Sequence, residues 1–152
     1  MRVPNDLWDQ RIVEVCRERQ RESEFDRMIQ WLESLPPNAE RFADQLVETH
    51  PILWWSNFMG CIQAGLEECD EEAYRIALKF LLDDLKTPFG KIHKRQFLKR
   101  FRRQRQLISW EDHRALSAVY ERLSKLRYRP QEFDELEKLL AELDSDSSRA
   151  AH

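Results

Sequence analysis

A chain of 152 residues, 41% hydrophobic and well supplied with Trp and Phe, has the bulk for one compact core, which excludes disordered and fibrous readings. Its 25 Lys and Arg nearly balance 28 Asp and Glu, its three glycines leave no material for a Gly-rich phosphate loop or dinucleotide fingerprint, and its three cysteines cannot build a disulfide framework. High charge with so little Gly points to helices.

Asn5 or Asp6 can cap a first helix whose apolar residues Trp8, Ile12, Val15 and Cys16 recur at helical spacing. Residues 17–24 are almost all charged and read as an exposed continuation or a break, with Ser23 capping a segment that carries Phe25, Met28, Ile29 and Leu32. Pro36 and Pro37 end it, because proline disfavours helix in the residue before it. A short helix is expected from about Asn38, with Phe42, Leu46 and Val47 inward. Pro51 then suits a first helical turn, and the 18 residues from Thr49 to Leu66 contain no Asp, Glu, Lys or Arg. That stretch is short of a membrane span and reads as a buried central helix with Trp54, Phe58, Cys61, Ile62 and Gly65 on one arc. Gly60 and Ala64, one turn apart, are expected to admit a close neighbouring helix, and Trp54 and Trp55 to pack rather than cage a ligand.

Asp70 with Glu71 and Glu72 reads as a cap and first-turn acids, followed by a stripe of Tyr74, Ala77, Phe80, Leu81 and Leu85. After the stop at Thr87-Pro88-Phe89-Gly90, a basic helix is expected from about Lys91 to Leu107. Ser109 with Asp112 starts the next, and Pro130 opens the last, which shows Phe133, Leu136, Leu139, Leu140 and Leu143. The expected architecture is all-α: a compact multi-helix bundle of about six to eight helices in a single domain over residues 1–143, with a disordered polar tail over 144–152. Helix starts spaced by about 20 residues would also suit solenoid-like helical hairpins, but no repeated residue signature accompanies them.

Most site chemistry is excluded by spacing. The positions three before His50, His93 and His113 are Val47, Gly90 and Trp110, so the Glu-x-x-His pairs of helical di-iron sites are absent. The acidic pairs of all-helical nucleotide pyrophosphatases have one candidate, Glu68 with Asp70 to Glu72, but the following helix is basic where the second should lie. Cys61 and Cys69 are poor zinc ligands, and the acidic run from Glu67 to Glu72 lacks a calcium loop's Gly and spaced oxygens. Arg105 and His113, a pair of the kind helical ribonucleases use, stand eight apart across the Ser109 cap. No catalytic residue, metal site or cofactor is expected, and the odd, unclustered cysteines and lack of an apolar leader point to a cytoplasmic protein.

One feature exceeds background. From Leu85 to Trp110 there is no Asp or Glu in 26 residues, where the chain average gives roughly five. Nine basic residues fill the window, which leaves 16 against 28 acids in the rest of the chain. Phe97, Leu98, Phe101 and Ile108 share a narrow face, while Arg95, Lys99, Arg102 and Arg103 form a ridge on another. Like charges a turn apart repel, so such a ridge becomes favourable when an anion lies along it. Arginine's planar fork suits phosphate oxygens. The candidate nucleic-acid-binding residues are Lys91, Lys94, Arg95, Lys99, Arg100, Arg102, Arg103 and Arg105.

In size and helical character the chain resembles the small helical subunits of CRISPR effector complexes, a likeness that implies a place along nucleic acid in a larger assembly. The expected function is therefore a non-enzymatic module that grips the backbone of single-stranded RNA or DNA, or of a duplex, without reading sequence. The alternatives are an adaptor or inhibitor that docks an acidic protein partner, a ridge neutralised by the chain's own acidic helices, a solvated face with no partner and, with least support from the residues, an enzyme.

Overall fold

The computed structural model describes residues 31, 34–42, 51–84 and 90–150, of which 37, 38, 40, 51–56 and 148–150 are described by backbone alone. The first expected helix and the charged stretch at 17–24 lie outside the described residues, as do Leu46, Val47, Leu85 and the stop at 87–89. Among the described residues the fold is all-helical, and the contacts divide into two compact units, residues 1–90 and 91–152.

In the first unit a 3-10 helix, Pro37–Phe42, packs with two α-helices, α1 (Pro51–Glu67) and α2 (Glu71–Asp83). Helix α1 turns Phe58, Ile62, Gly65 and Leu66 inward, the i, i+4, i+7, i+8 pattern of one buried face. Trp31 is buried against Phe80 of α2, edge to face at 5.6 Å. At the end of α1 the Asp70 N–H donates to the Gly65 carbonyl (2.9 Å) and the Cys69 N–H to that of Leu66 (3.0 Å), with Cys69 in the left-handed region at φ 59. This closes the last helical carbonyls without the usual glycine. The Asp70 side chain then accepts from the N–H groups of Glu72 (2.9 Å) and Ala73 (3.1 Å) and caps α2, as its sequence position implied. Arg41 donates to its other oxygen at 2.6 Å, and this bond foremost holds the Asp70 carboxyl below its ordinary range.

The small residues of α1 are used differently from expectation. Gly60 and Ala64 are exposed, and a Cβ at Gly60 would meet nothing within 4 Å. The close approach is at Gly65, where a Cβ would stand 2.7 Å from the Ala73 Cβ and 3.1 Å from the Phe42 ring. Gly60→Ala is therefore expected to raise unfolding free energy by roughly 0.5–1 kcal/mol through helix propensity. Gly65→Ala should lower it by about 1 kcal/mol or more, because the α1–α2 packing must open. Urea unfolding of the two variants gives the two signs directly.

The second unit comprises α3 (Gly90–Arg103), a 3-10 turn (Arg105–Leu107), α4 (Trp110–Ser124) and α5 (Phe133–Ala150). Phe97, Leu98 and Phe101 are all but fully buried, as the wheel required. The basic segment is not one helix to Leu107. It breaks at Gln104 (φ -129), and Ile108 is half-buried beyond the turn. Ser109 caps α4 by accepting from the Asp112 N–H at 3.1 Å. Helices α4 and α5 form an antiparallel hairpin: Tyr120 stacks on Phe133 at 5.0 Å at one end and donates its hydroxyl to Glu137 (3.0 Å), while His113 meets Asp144 at the other. The polar segment expected to be a disordered tail continues α5 to Ala150 instead, since Asp144 and Asp146 find partners in His113 and Arg105.

Candidate nucleic-acid interface

The acid-free window divides by helical position into three groups. Lys94 is only 5% exposed. It lies three and four residues before Phe97 and Leu98, so it shares their buried face and does not belong to the ridge. Arg100 is half-buried.

Arg102 and Arg105 form the second group and turn onto α5. Arg102 donates Nε to Glu142 Oε1 (2.7 Å) and Nη1 to Glu135 Oε2 (3.0 Å). Arg105 donates Nη1 to Glu142 Oε2 (2.6 Å) and Nε to Asp146 Oδ2 (2.7 Å), so Glu142 bridges the two guanidinium groups. Both are held more firmly protonated than usual, Arg102 chiefly by its bond to Glu142 and Arg105 by its bond to Asp146. Arg105 also donates to the Arg102 carbonyl at 2.9 Å, which closes one of the open carbonyls at the end of α3. For Arg102, expected on the outward ridge, and for the candidate Arg105 beside it, the expectation of a free outward cation is corrected: acids of α5 neutralise them.

The third group is what remains outward. Lys91, Arg95, Lys99 and Arg103 stand at successive i, i+4 positions; Lys91, Lys99 and Arg103 are exposed and Arg95 half-buried. None of the four forms an ion pair or hydrogen bond among the described residues. The stripe covers about 18 Å of helix with one cation every ~6 Å, climbing along the i, i+4 ridge of α3. Three like-charge pairs at this spacing cost roughly 0.2–0.5 kcal/mol each without an anion, and Lys91 opposes the helix dipole in the first turn.

At its C-terminal end the stripe meets a groove of about 510 Å³ lined by residues of this unit, among them Arg103, Gln106, Ser109, Trp110, His113 and Ser147. Trp110 is 65% exposed and its ring stands edge to face on His113, 5.4 Å between centroids. The His113 side chain is buried, and its Nε2 lies 3.1 Å from Asp144 Oδ1. Arg105 and His113, eight apart in sequence on either side of the Ser109 cap, both line this groove.

Sequence reasoning placed Arg95, Lys99 and Arg103 on this surface and missed Trp110. The available signal was its position at the start of α4, one residue beyond the Ser109 cap, at the close of the acid-free window. Among the described residues no group of three or more His, Cys, Asp or Glu is placed to hold a metal ion, and no helix is long and apolar enough to cross a membrane. The side chains of Trp54 and Trp55 lie outside the described residues. Compared with known proteins, the chain matches no family model, no curated protein and no solved structure.

Proposed function

We propose that residues 91–152 form a non-catalytic module that holds nucleic-acid backbone along the Lys91-Arg95-Lys99-Arg103 stripe, within an all-helical protein of six to eight helices that serves as a small subunit of a larger nucleoprotein assembly. The observation that carries the reading is the stripe itself: four cations a turn apart with no carboxylate on them among the described residues. The rest of the unit has acids to spend, and spends them on Arg102 and Arg105. The same division appears at the scale of the chain. Residues 91–152 hold fifteen Lys and Arg against ten Asp and Glu, whereas residues 1–90 hold ten against eighteen.

A stacked strand carries a phosphate every ~3.4 Å, so cations ~6 Å apart meet about every second one. Contacts of this kind set register without reading bases. Four of them to a single strand should give a log–log salt slope of about -2.8.

The test is fluorescence anisotropy with labelled single-stranded RNA, single-stranded DNA and duplex DNA across a salt series. The variant is Lys91→Glu/Arg95→Glu/Lys99→Glu/Arg103→Glu, and a charge-reversal control elsewhere on the surface changes Arg122, Lys125 and Arg127 to Glu, three exposed residues near the α4–α5 connection. Binding that weakens with salt, disappears in the stripe variant and survives in the control supports the reading. Absence of binding at low salt overturns it and directs the search to an acidic protein partner.

A further inference from the structure

We infer that the groove at the end of the stripe receives an unpaired nucleobase stacked on Trp110, which makes single-stranded nucleic acid the ligand class in preference to duplex; the inference rests on the backbone reading above. Two observations lead to it. Trp110 is 65% exposed among the described residues, and its ring packs edge to face on the buried His113 imidazole, whose Nε2 lies 3.1 Å from Asp144. An aromatic held in this way offers a stacking face at small entropic cost.

The second observation is adjacency. Arg103 both ends the cation stripe and lines the groove, so a strand whose phosphates follow α3 arrives with its sugar and base beside Trp110. The volume of about 510 Å³ lies within the range of small-molecule pockets and accommodates one base. Gln106, Ser109 and Ser147 add neutral polar groups to the lining, which tolerate the varied edges of different bases, and Ile108 and Leu143 add apolar ones. The lining carboxylate, Asp146, is occupied by Arg105 through two oxygens at 2.7 and 3.4 Å, so it presents little uncompensated charge to an entering phosphate. A cationic track beside an aromatic platform is the general solution for binding single strands without sequence preference. In a duplex the base faces are already stacked, and only the backbone contacts remain.

The experiment compares three ligands by anisotropy at one salt concentration: a short single-stranded oligonucleotide, the abasic sugar-phosphate strand of equal length, and the duplex. Wild type is expected to bind the base-bearing strand about tenfold more tightly than the abasic one. Trp110→Ala should erase that difference while leaving abasic affinity unchanged, and Trp110→Tyr should retain most of it. Equal affinity of wild type for the base-bearing and abasic strands overturns the inference and leaves the backbone reading standing. So does an equal loss on both strands in Trp110→Ala. Failure of all three ligands to bind overturns both.

Discussion

Arg102→Ala is expected to lower unfolding free energy by about 2 kcal/mol and to weaken nucleic-acid binding by the folded protein less than a change one residue on; Arg103→Glu should change stability by less than about 0.5 kcal/mol and weaken binding severalfold. The difference follows from 100° of helix rotation. The Arg102 side chain is 31% exposed, and it bonds Glu135, whose side chain is 9% exposed, together with Glu142. Removing it leaves the nearly buried Glu135 carboxylate with the more distant Lys138 ammonium, at 3.9 Å, beside a second carboxylate that has lost one of its two arginines. A fully buried pair broken in this way costs about 3–5 kcal/mol and an exposed one under 1, and the partial exposure of Arg102 places the expectation between them. Arg103 has no partner to strand among the described residues. Urea unfolding and anisotropy on the same two variants form a crossed design. If Arg103→Glu proves the more destabilising, or Arg102→Ala the more damaging to binding, the division of the cations between scaffold and surface is wrong.

That division also marks how far the sequence could be read. Local rules sufficed for the caps: Asp70 and Ser109 stand where a short oxygen side chain precedes an amphipathic run, and each bonds the N–H groups that the rule requires. They sufficed as well for Phe97, Leu98 and Phe101, whose spacing alone selects a face. Non-local pairing was hidden. Arg102 and Arg105 look like their neighbours until α5 brings Glu135, Glu142 and Asp146 opposite them, across separations of 33 to 41 residues. No property of the basic segment announces which of its cations will meet an acid. The wheel did contain one unused distinction, because Lys94 shares the arc of Phe97 and Leu98 and its burial follows from spacing alone. Gly65 is the converse case: Gly60 and Ala64 supply the familiar small-residue spacing, yet which small residue another helix meets depends on where Ala73 arrives. The extension of α5 to Ala150 has the same cause as the Arg102 pairing, since residues that are small and polar by composition are ordered by partners distant in sequence.

Stability is expected to fall by about 2 kcal/mol between pH 7.5 and pH 5 on account of a single residue, His93. Its side chain lies on the buried side of α3, one residue before Lys94, and is 5% exposed, and burial pushes its pKa down from 6.5 to about 4. At pH 7.5, a full unit above the ordinary value of 6.5, the imidazole is almost wholly neutral in both the folded and unfolded chains and contributes little pH dependence. Below that value the unfolded chain takes up a proton that the folded protein refuses until the pH approaches about 4, so the equilibrium shifts toward unfolding throughout that window. The Asp70 carboxyl, lowered from 3.8, begins to yield its own contribution only at more acid pH and does not blur the interval. The check is a set of urea midpoints from pH 7.5 to 5 for wild type and for His93→Gln, which keeps a polar side chain of similar reach and cannot ionise. The wild-type midpoint should fall steadily while that of the variant stays nearly flat. Parallel slopes in the two proteins would assign the acid sensitivity elsewhere and would mean that His93 accepts its proton in the folded state, which a solvated imidazole on this face of α3 would do.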